Sequence, residues 1–558
     1  MPAGIARHGA LVAAFIEAGE LAQGVADAEF AARGGRDGRS PAADAALALL
    51  ARLAAAVRSS WDSGFARFGL PTVGAFDAAP LPETLRTKRA EGFAFYALYP
   101  EAYLAAAAGL PPGRRVKVIG IRSIGAALGA LVAAAAGAPP PVTLRPVGHP
   151  FRRELSLSDE LAAELLADPA ACFAVADEGP GLSGSSFGAV ADFLEDRGVP
   201  PGRVYFFPSH AGEAGPEASP RHRARWARTK RHVVEFDALA LRTPALAAHR
   251  LSSWAADLVG APDGPLEEIS GGGWRRLRHA REAEWPPVHA QGERRKFLLR
   301  AGGEVWLLKF AGLGRDGERK LERARTLHAA GFTPAVAGHR HGFLVEEWLG
   351  GARSLDRSGG RDRAWLAERV GRYLGFRARR FPAAPGQGAS LAALRDMARH
   401  NTAEAMGEEW GRRVERRTAG LEAFEPRLRR AETDNRLHAW EWLVSPDGRL
   451  LKADALDHHA AHDLVGCQDV AWDVAGAVAE LGLDGEFGTL CAAVEREAER
   501  PVDPGLVALL TPCYLAFQLG ACAMAARVAA PEEAARLRAD GGRYAGLLRR
   551  ALAGSDGC

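Results

Sequence analysis

The sequence predicts an α/β protein in two parts: a parallel, helix-covered sheet, then a two-lobed α+β domain. Three observations predict it. Between about residues 84 and 250, short apolar runs alternate with helical patterns, the signature of strands joined by crossover helices. Two apolar runs flank Ala301-Gly302-Gly303 and read as a hairpin. Beyond about residue 351 the pattern is mostly helical. A chain of 558 residues is also too long for one ordinary core. The expected organisation is a helical region over 1–83, the parallel sheet over 84–250, and a second domain over 265–558. That domain divides into a small β-rich lobe, 265–350, and a helical lobe, 351–558.

The elements follow in order. Residues 8–58 carry Ala and Leu at helical spacing, broken near GGRDGRS. RVKVIGI (115–121) is a compact apolar run after Pro-Pro-Gly, hence a buried strand. Small residues over 124–136 predict a helix, 142–145 a strand, and 157–166 a helix with a Ser/Asp start. A third strand over 173–176, a helix over 187–197 and a fourth strand over 204–207 complete the alternation. In the second part, 297–300 and 305–310 form the hairpin, 318–330 a helix and 342–348 a strand. LVSPDGRLLKADAL (443–456) reads as a second hairpin around Ser-Pro-Asp-Gly.

Composition narrows the function classes. Hydrophobic residues at 47% and charged residues at 25% are the usual globular balance. A net charge of +3 gives no global field for nucleic acid or a membrane surface. Cys172, Cys467, Cys491, Cys513, Cys522 and Cys558 form no CxxC pair, which argues against a zinc ribbon or disulfide framework. The first residues lack the pattern of a secretory signal, and unbroken apolar runs fall far short of about 20 residues. A cytoplasmic location follows as the expectation. The abundance of Ala, Arg and Gly reads as codon bias of a GC-rich, bacterial genome. The basic stretch SPRHRARWARTKRH (219–232) reads as a solvated helix face, with an anion contact as the alternative.

The sharpest motif is CFAVADEGPGLSGSSF (172–187). An apolar strand ends in Asp177 and Glu178, and a Gly/Ser loop leads into a helix. Exposed loop amides and a helix N-terminus make a phosphate cradle. Two carboxylates beside it would repel phosphate, so they fit sugar hydroxyls or a magnesium ion instead. VADEGPGLSGSS resembles the phosphoribosyl diphosphate (PRPP) signature of type I phosphoribosyltransferases, over about residues 84–240. The resemblance implies a sheet of phosphoribosyltransferase type, with Asp177 and Glu178 holding the ribose hydroxyls. Gly181, Leu182, Ser183, Gly184, Ser185 and Ser186 would hold the 5′-phosphate. Arg122, Ser123, Ile124 and Gly125 occupy the place of that family's pyrophosphate loop. Arg152 and Arg153, with Arg145 and His149, fall where relatives carry a mobile basic loop over the leaving group. This chain departs in having Glu as the second acid and a loop one residue longer.

The second part carries Lys309 inside a strand, where a lysine needs a partner, and Glu322 on the next helix. Further on come DNRLHAWEW, LLKADALDHH and QDVAWD. This order resembles aminoglycoside phosphotransferases and choline kinases over about 265–558. The resemblance implies nucleotide binding by Lys309 paired with Glu322, a metal-binding Asp at Asp454, and structural acids at Asp469 and Asp473. SGGGWR (270–275) would be a phosphate-covering loop. The catalytic segment departs: Arg436 falls on the catalytic Asp and Glu441 on the metal-binding Asn. Arginine cannot act as a base at neutral pH. Glu441 can still bind magnesium with Asp454, and Asp434 would serve as a displaced base. His458 and His462 stand four apart, as two helix-borne metal ligands would, but a polar loop is the favoured reading.

These readings combine into a PRPP-dependent phosphoribosyltransferase with an unknown acceptor, fused to an atypical small-molecule kinase-like module. Magnesium and PRPP are the expected cofactors, with ATP for the second half. Small molecules are the expected partners, without nucleic acid or membrane; self-association stays open. The rival is a regulator whose two halves sense PRPP and nucleotide without turnover.

Overall fold

The computed structural model describes residues 2–69, 81, 83–242, 244–357, 362–461 and 463–553. Its contacts divide the chain into two units. Unit 1 comprises Met1–Leu266, Leu299–Arg319 and Ala337–Val345; unit 2 comprises Glu267–Leu298, Lys320–Val336 and Glu346–Cys558.

Unit 1 is built on a sheet of β1 (Val116–Ile121), β2 (Val142–Leu144), β5 (Cys172–Ala176), β6 (Val204–Phe207) and β7 (Lys230–Arg231), in the order β2-β1-β5-β6-β7. All four neighbouring pairs in it are parallel. Parallel strands are covered on both faces, which is why VKVIGI, CFAVA and VYFF are nearly continuous apolar runs. Ile119, Val175, Phe173 and Phe206 sit in one core with Phe187 and Trp226. Between β2 and β5 the chain makes an antiparallel excursion, β3 (Val147–His149) and β4 (Arg152–Glu154), where the sequence suggested only a punctuated basic segment.

Helices α1 (Ile5–Ala32), α2 (Pro41–Asp62), α3 (Glu91–Phe95), α4 (Pro100–Ala106), α5 (Gly125–Ala136), α6 (Asp159–Leu166), α7 (Ser185–Glu195) and α8 (Pro220–Arg228) complete this unit's helical cover. α5 can lie close because its residues are small. A Cβ on Gly120 would meet Gly125 O at 2.2 Å, and one on Gly125 would meet Ala176 O at 2.5 Å. α1 and α2 pack on α5, with Gly19 against Ala127. The polar residues buried in α1 are used as ties. Glu20 accepts the Ala90 amide at 2.9 Å, Gln23 accepts the Lys88 amide at 2.8 Å, and His8 meets Glu101 at 2.7 Å.

A second sheet has the order β11-β12-β10-β9-β8, with β8 (Glu267–Glu268), β9 (Lys296–Ala301), β10 (Glu304–Phe310), β11 (Val336–Arg340) and β12 (Phe343–Glu347). Gly302 and Gly303 turn the expected hairpin with positive φ, 63° and 81°. Helix α9 (Gly314–Ala329) follows it.

Unit 2 holds β13 (Arg353–Ser354), β15 (Trp442–Val444) and β16 (Leu450–Lys452) in one sheet, and β14 (Arg430–Ala431) with β17 (Gln468–Asp469) in another. Its helices are α10 (Arg363–Arg380), α11 (Leu391–Met406), α12 (Glu408–Arg417), α13 (Val470–Leu481), α14 (Phe487–Ala498), α15 (Pro504–Val528) and α16 (Pro531–Ala553). Pairs α10–α14, α15–α16, α11–α12 and α11–α15 make its main helical contacts. By length and composition α1 and α15 could cross a membrane, yet 67% and 56% of their most apolar windows are buried within the protein. Counting unbroken apolar runs hides such lengths, because polar residues and glycines interrupt both helices.

Candidate functional site

In unit 1, the turn after β1 and the loop after β5 leave the same edge of the sheet, because β1 and β5 pair in parallel with Gly120 opposite Ala176. That carboxyl edge is where open α/β sheets bind ligands. The structure thus brings Arg122, Ser123, Ile124 and Gly125 beside Asp177 and Glu178. The Arg122–Ser123 peptide is cis.

Asp177 and Glu178 are half-buried acids. The backbone fixes both: the Asp177 amide donates to Phe207 O at 3.3 Å, and Glu178 O accepts from the Ser209 amide at 2.7 Å. Tyr103 donates its hydroxyl to Asp177 O at 2.8 Å. α3 closes over the second acid, since a Cβ on Gly92 would come within 3.0 Å of Glu178 Oε1. Burial pushes the Asp177 carboxyl up to about 8, with Glu178 adding to it and the Glu178 amide and Arg145 opposing. Burial and then Glu91 push Glu178 up to about 7. Such strongly raised acids in a strand-end loop mark a functional-site candidate. Glu91 and Tyr103 lie outside the motif that sequence reasoning recognised. Only a fold brings residues 74 and 87 positions away onto one carboxylate pair.

The loop itself is held by the β3–β4 hairpin. Ser183 Oγ and Ser185 Oγ donate to Pro150 O at 3.1 and 2.7 Å, and the two hydroxyls lie 2.9 Å apart. Gly181 and Gly184 have φ of 59° and 65°, which the turn into α7 requires. Leu182 is exposed, and Ser186 is half-buried in the first turn of α7. Arg152 is exposed on the hairpin, while Arg153 is half-buried and donates to Gly148 O at 3.0 Å.

Arg122 corrects one expectation. Its Nε meets Asp27 at 2.8 Å, Nη1 meets Thr143 O and Oγ1 at 3.0 and 3.2 Å, and Nη2 meets Asp37 at 2.5 Å. Four of its five N–H donors are thereby used within the protein, so the guanidinium is a tie between the N-terminal helices and the sheet. Arg145, also paired with Asp27, is the arginine whose charge acts on Asp177. Part of the basic stretch on α8 is likewise paired within the protein, with Arg225 against Asp192 and Glu195 and Arg228 against Glu195.

In unit 2, the segment 433–441 is built around Asp473. This buried carboxylate accepts the amides of Asp434 at 2.7 Å and Asn435 at 2.9 Å, and Asn435 adopts φ of 62°. Burial first, then Asp434, pushes Asp473 up to about 6. Asp434 itself is buried, accepts from the Tyr373 hydroxyl, and lies 3.4 Å from Lys452 and 3.3 Å from His458. Burial alone would raise its carboxyl, but Lys452, His458 and Arg377 hold it well below the usual range. A carboxylate so engaged positions the segment; it is not open to act as the displaced base. Arg377 donates to Ala455 O and Glu432 O, both at 2.6 Å, joining this segment to the one that carries Asp454.

Lys452 fills the gap between the acids. Its Nζ lies 2.6 Å from Glu441 Oε2 and 2.5 Å from Asp454 O. Asp454 is half-buried with His458 Nε2 at 3.7 Å. Asp457 takes Lys320 at 2.8 Å and Arg294 at 3.3 Å. Arg436, at the expected catalytic position, is exposed. The expected phosphate loop at 270–275 is capped by an acid: Glu293 accepts the Gly272 amide at 2.7 Å and the Trp274 indole at 2.8 Å. Lys309 is buried at the end of β10 in unit 1; Glu322 is exposed on α9 in unit 2. His462, the second histidine of the suggested metal pair, lies outside the described residues.

No protein-family model matches the chain, and neither does any curated protein. Among solved structures it is similar to the macrolide 2′-phosphotransferase MphH from Brachybacterium faecium, at 20% identity and a TM-score of 0.34, covering 51% of this chain and 96% of that one. The choline kinase LicA from Streptococcus pneumoniae matches at 16% identity and a TM-score of 0.30, covering 46% and 89%. A choline/ethanolamine kinase family protein from Mesorhizobium loti matches at 17% and 0.32, covering 52% and 92%. Scores this low leave the functional reading to the chain's own residues.

Proposed function

We propose that unit 1 binds a phosphorylated, diphosphate-activated ribose of the PRPP class and transfers its phosphoribosyl group to a small-molecule acceptor. The observation that carries this is the acid pair Asp177–Glu178: two half-buried carboxyls pushed up to about 8 and 7, followed directly by a Gly/Ser loop and a helix N-terminus. Carboxyls raised by burial gain from hydroxyl donors or a cation, and the loop amides suit a phosphate. In the reaction, a nucleophilic atom of the acceptor forms a bond to the anomeric carbon as the bond to the diphosphate oxygen breaks, and pyrophosphate leaves with that electron pair. Asp177 and Glu178 orient the ribose and offset positive charge on its ring carbon. The basic hairpin at Arg152 and Arg153 covers the leaving group. Magnesium, when bound, would carry the diphosphate charge.

For unit 2 the same reasoning supports a nucleotide-binding module of kinase type that does not transfer phosphate. Arg436 stands where a base is needed, and Asp434, the buried acid two residues before it, is already bonded to Tyr373, Lys452 and His458. Incubating the full chain with labelled PRPP, magnesium and a metabolite extract tests the transfer. A labelled ribosyl product that Asp177→Asn abolishes is the expected result; release of no label from PRPP beyond the buffer rate would overturn it.

A further inference from the structure

We propose that Lys452 is a built-in cation that does the work of a divalent metal at Glu441, so that unit 2 binds its phosphate-bearing ligand without a magnesium ion there. The inference rests on the nucleotide-binding reading of unit 2 only for its ligand; its ion chemistry stands on the residues themselves.

Four acids converge on this part of unit 2: Asp434, Glu441 and Asp457 are met by the chain's own cations, and the Asp454 carboxylate has His458 Nε2 at 3.7 Å. Lys452 Nζ is bonded to Glu441 Oε2 at 2.6 Å and lies 3.4 Å from Asp434 Oδ1. The Asp454 carbonyl takes a further Nζ donor at 2.5 Å. Asp457 is met by Lys320 and Arg294. Lys452 has no exposed side-chain surface, and its strand position opposite Trp442 fixes where its stem enters. A magnesium ion brought onto Glu441 would therefore face a buried ammonium at contact distance. Like charges that close repel strongly even at an intermediate dielectric. Pushing the lysine aside would leave a buried charge without its partners, which is costlier than never burying it. The acid–acid arrangement that a divalent ion would need is thus already satisfied by a monovalent, immobile one. The donor set does not fit magnesium at Glu441.

The test uses the full chain and Mn2+ as a probe, followed by paramagnetic resonance of free and bound ion. Because Asp177 and Glu178 can take ions elsewhere, the reading is a difference between variants. In the wild-type background, Glu441→Gln leaves the number of bound Mn2+ ions unchanged. Lys452→Met gains one ion, and Glu441→Gln with Lys452→Met loses it again. The double variant removes one acid and one base, so it also guards against a folding defect of Lys452→Met alone. If Glu441→Gln removes a Mn2+ ion from the otherwise wild-type protein, the inference is overturned. A nucleotide arm then separates the two proposals. ATP binding in excess EDTA within about twofold of that in magnesium supports the built-in cation. Binding that needs magnesium and loses that need in Glu441→Gln overturns it. ATP binding in neither condition overturns the nucleotide reading of unit 2, while the Mn2+ differences still decide the ion question.

Discussion

Ser185 donates its hydroxyl to the carbonyl of Pro150 at 2.7 Å, a bond that ties the hairpin to the loop expected to hold phosphate. Ser183 doubles the tie at 3.1 Å. The two hydroxyls cannot serve the hairpin and a phosphate at once with the same protons. A phosphate that took these hydroxyl protons would have to release the hairpin. Ser183→Ala with Ser185→Ala should raise amide hydrogen exchange of residues 147–154 at least several-fold while leaving β5 and β6 protected. Unchanged exchange would mean that other contacts seat the hairpin.

The acid pair carries a pH signature. An unfolded Asp or Glu ionises near pH 4, whereas the folded pair holds its protons until about 8 and 7. Between those limits the folded state binds more protons than the unfolded one, so stability falls as pH rises from about 4 to 8. Asp177→Asn with Glu178→Gln removes that penalty. Its stability relative to wild type should improve by about 1 kcal/mol or more between pH 5 and pH 8. Denaturant midpoints at the two pH values read the difference, and a gap that stays flat would place both carboxyls in ordinary solvent.

Arg122 makes the opposite kind of claim. Its guanidinium holds Asp27 and Asp37; Arg122→Met leaves the buried Asp37 without its ion-pair partner, while Asp27 keeps Arg145. A loss of about 3–5 kcal/mol in unfolding free energy follows for a buried pair broken from one side. A variant as stable as wild type but deficient in PRPP binding would instead return Arg122 to the pyrophosphate role that its sequence position suggests.

The anchor of the second unit is Asp473. Replacing it with Ala strips the acceptor from two amides, those of Asp434 and Asn435. Unsatisfied buried donors cost about 1–3 kcal/mol each, so a loss of about 2–6 kcal/mol is expected, with Asn as the milder change. Calorimetric melting of the full chain measures it. A loss below about 1 kcal/mol would mean the segment is held mainly by Arg377 and Tyr373.

The strands and crossover helices of unit 1 were legible because parallel strands announce themselves as apolar runs between turn signals, as RVKVIGI and CFAVA do. The β3–β4 hairpin was not, since three-residue strands bearing Gly148, His149 and two arginines carry no apolar alternation. The acids Asp177 and Glu178 stood out through the company of a Gly/Ser loop. The identity of their neighbours did not, because Tyr103, Glu91 and Gly92 come from helices far away in sequence. Arg122 looked like a ligand in its motif, and only the fold revealed Asp27 and Asp37 as its partners. In unit 2 the sequence showed Arg436 where the resemblance expects a base. Lys452 did not stand out, since a lysine in LLKAD reads as an ordinary strand end until β16 pairs with β15 and turns it toward Glu441.

Calorimetric titration of the full chain with PRPP and magnesium tests the acid-pair grip most directly. Saturable binding to wild type that Asp177→Asn weakens at least tenfold is the predicted result. No heat of binding, or equal affinity in the two proteins, would contradict it.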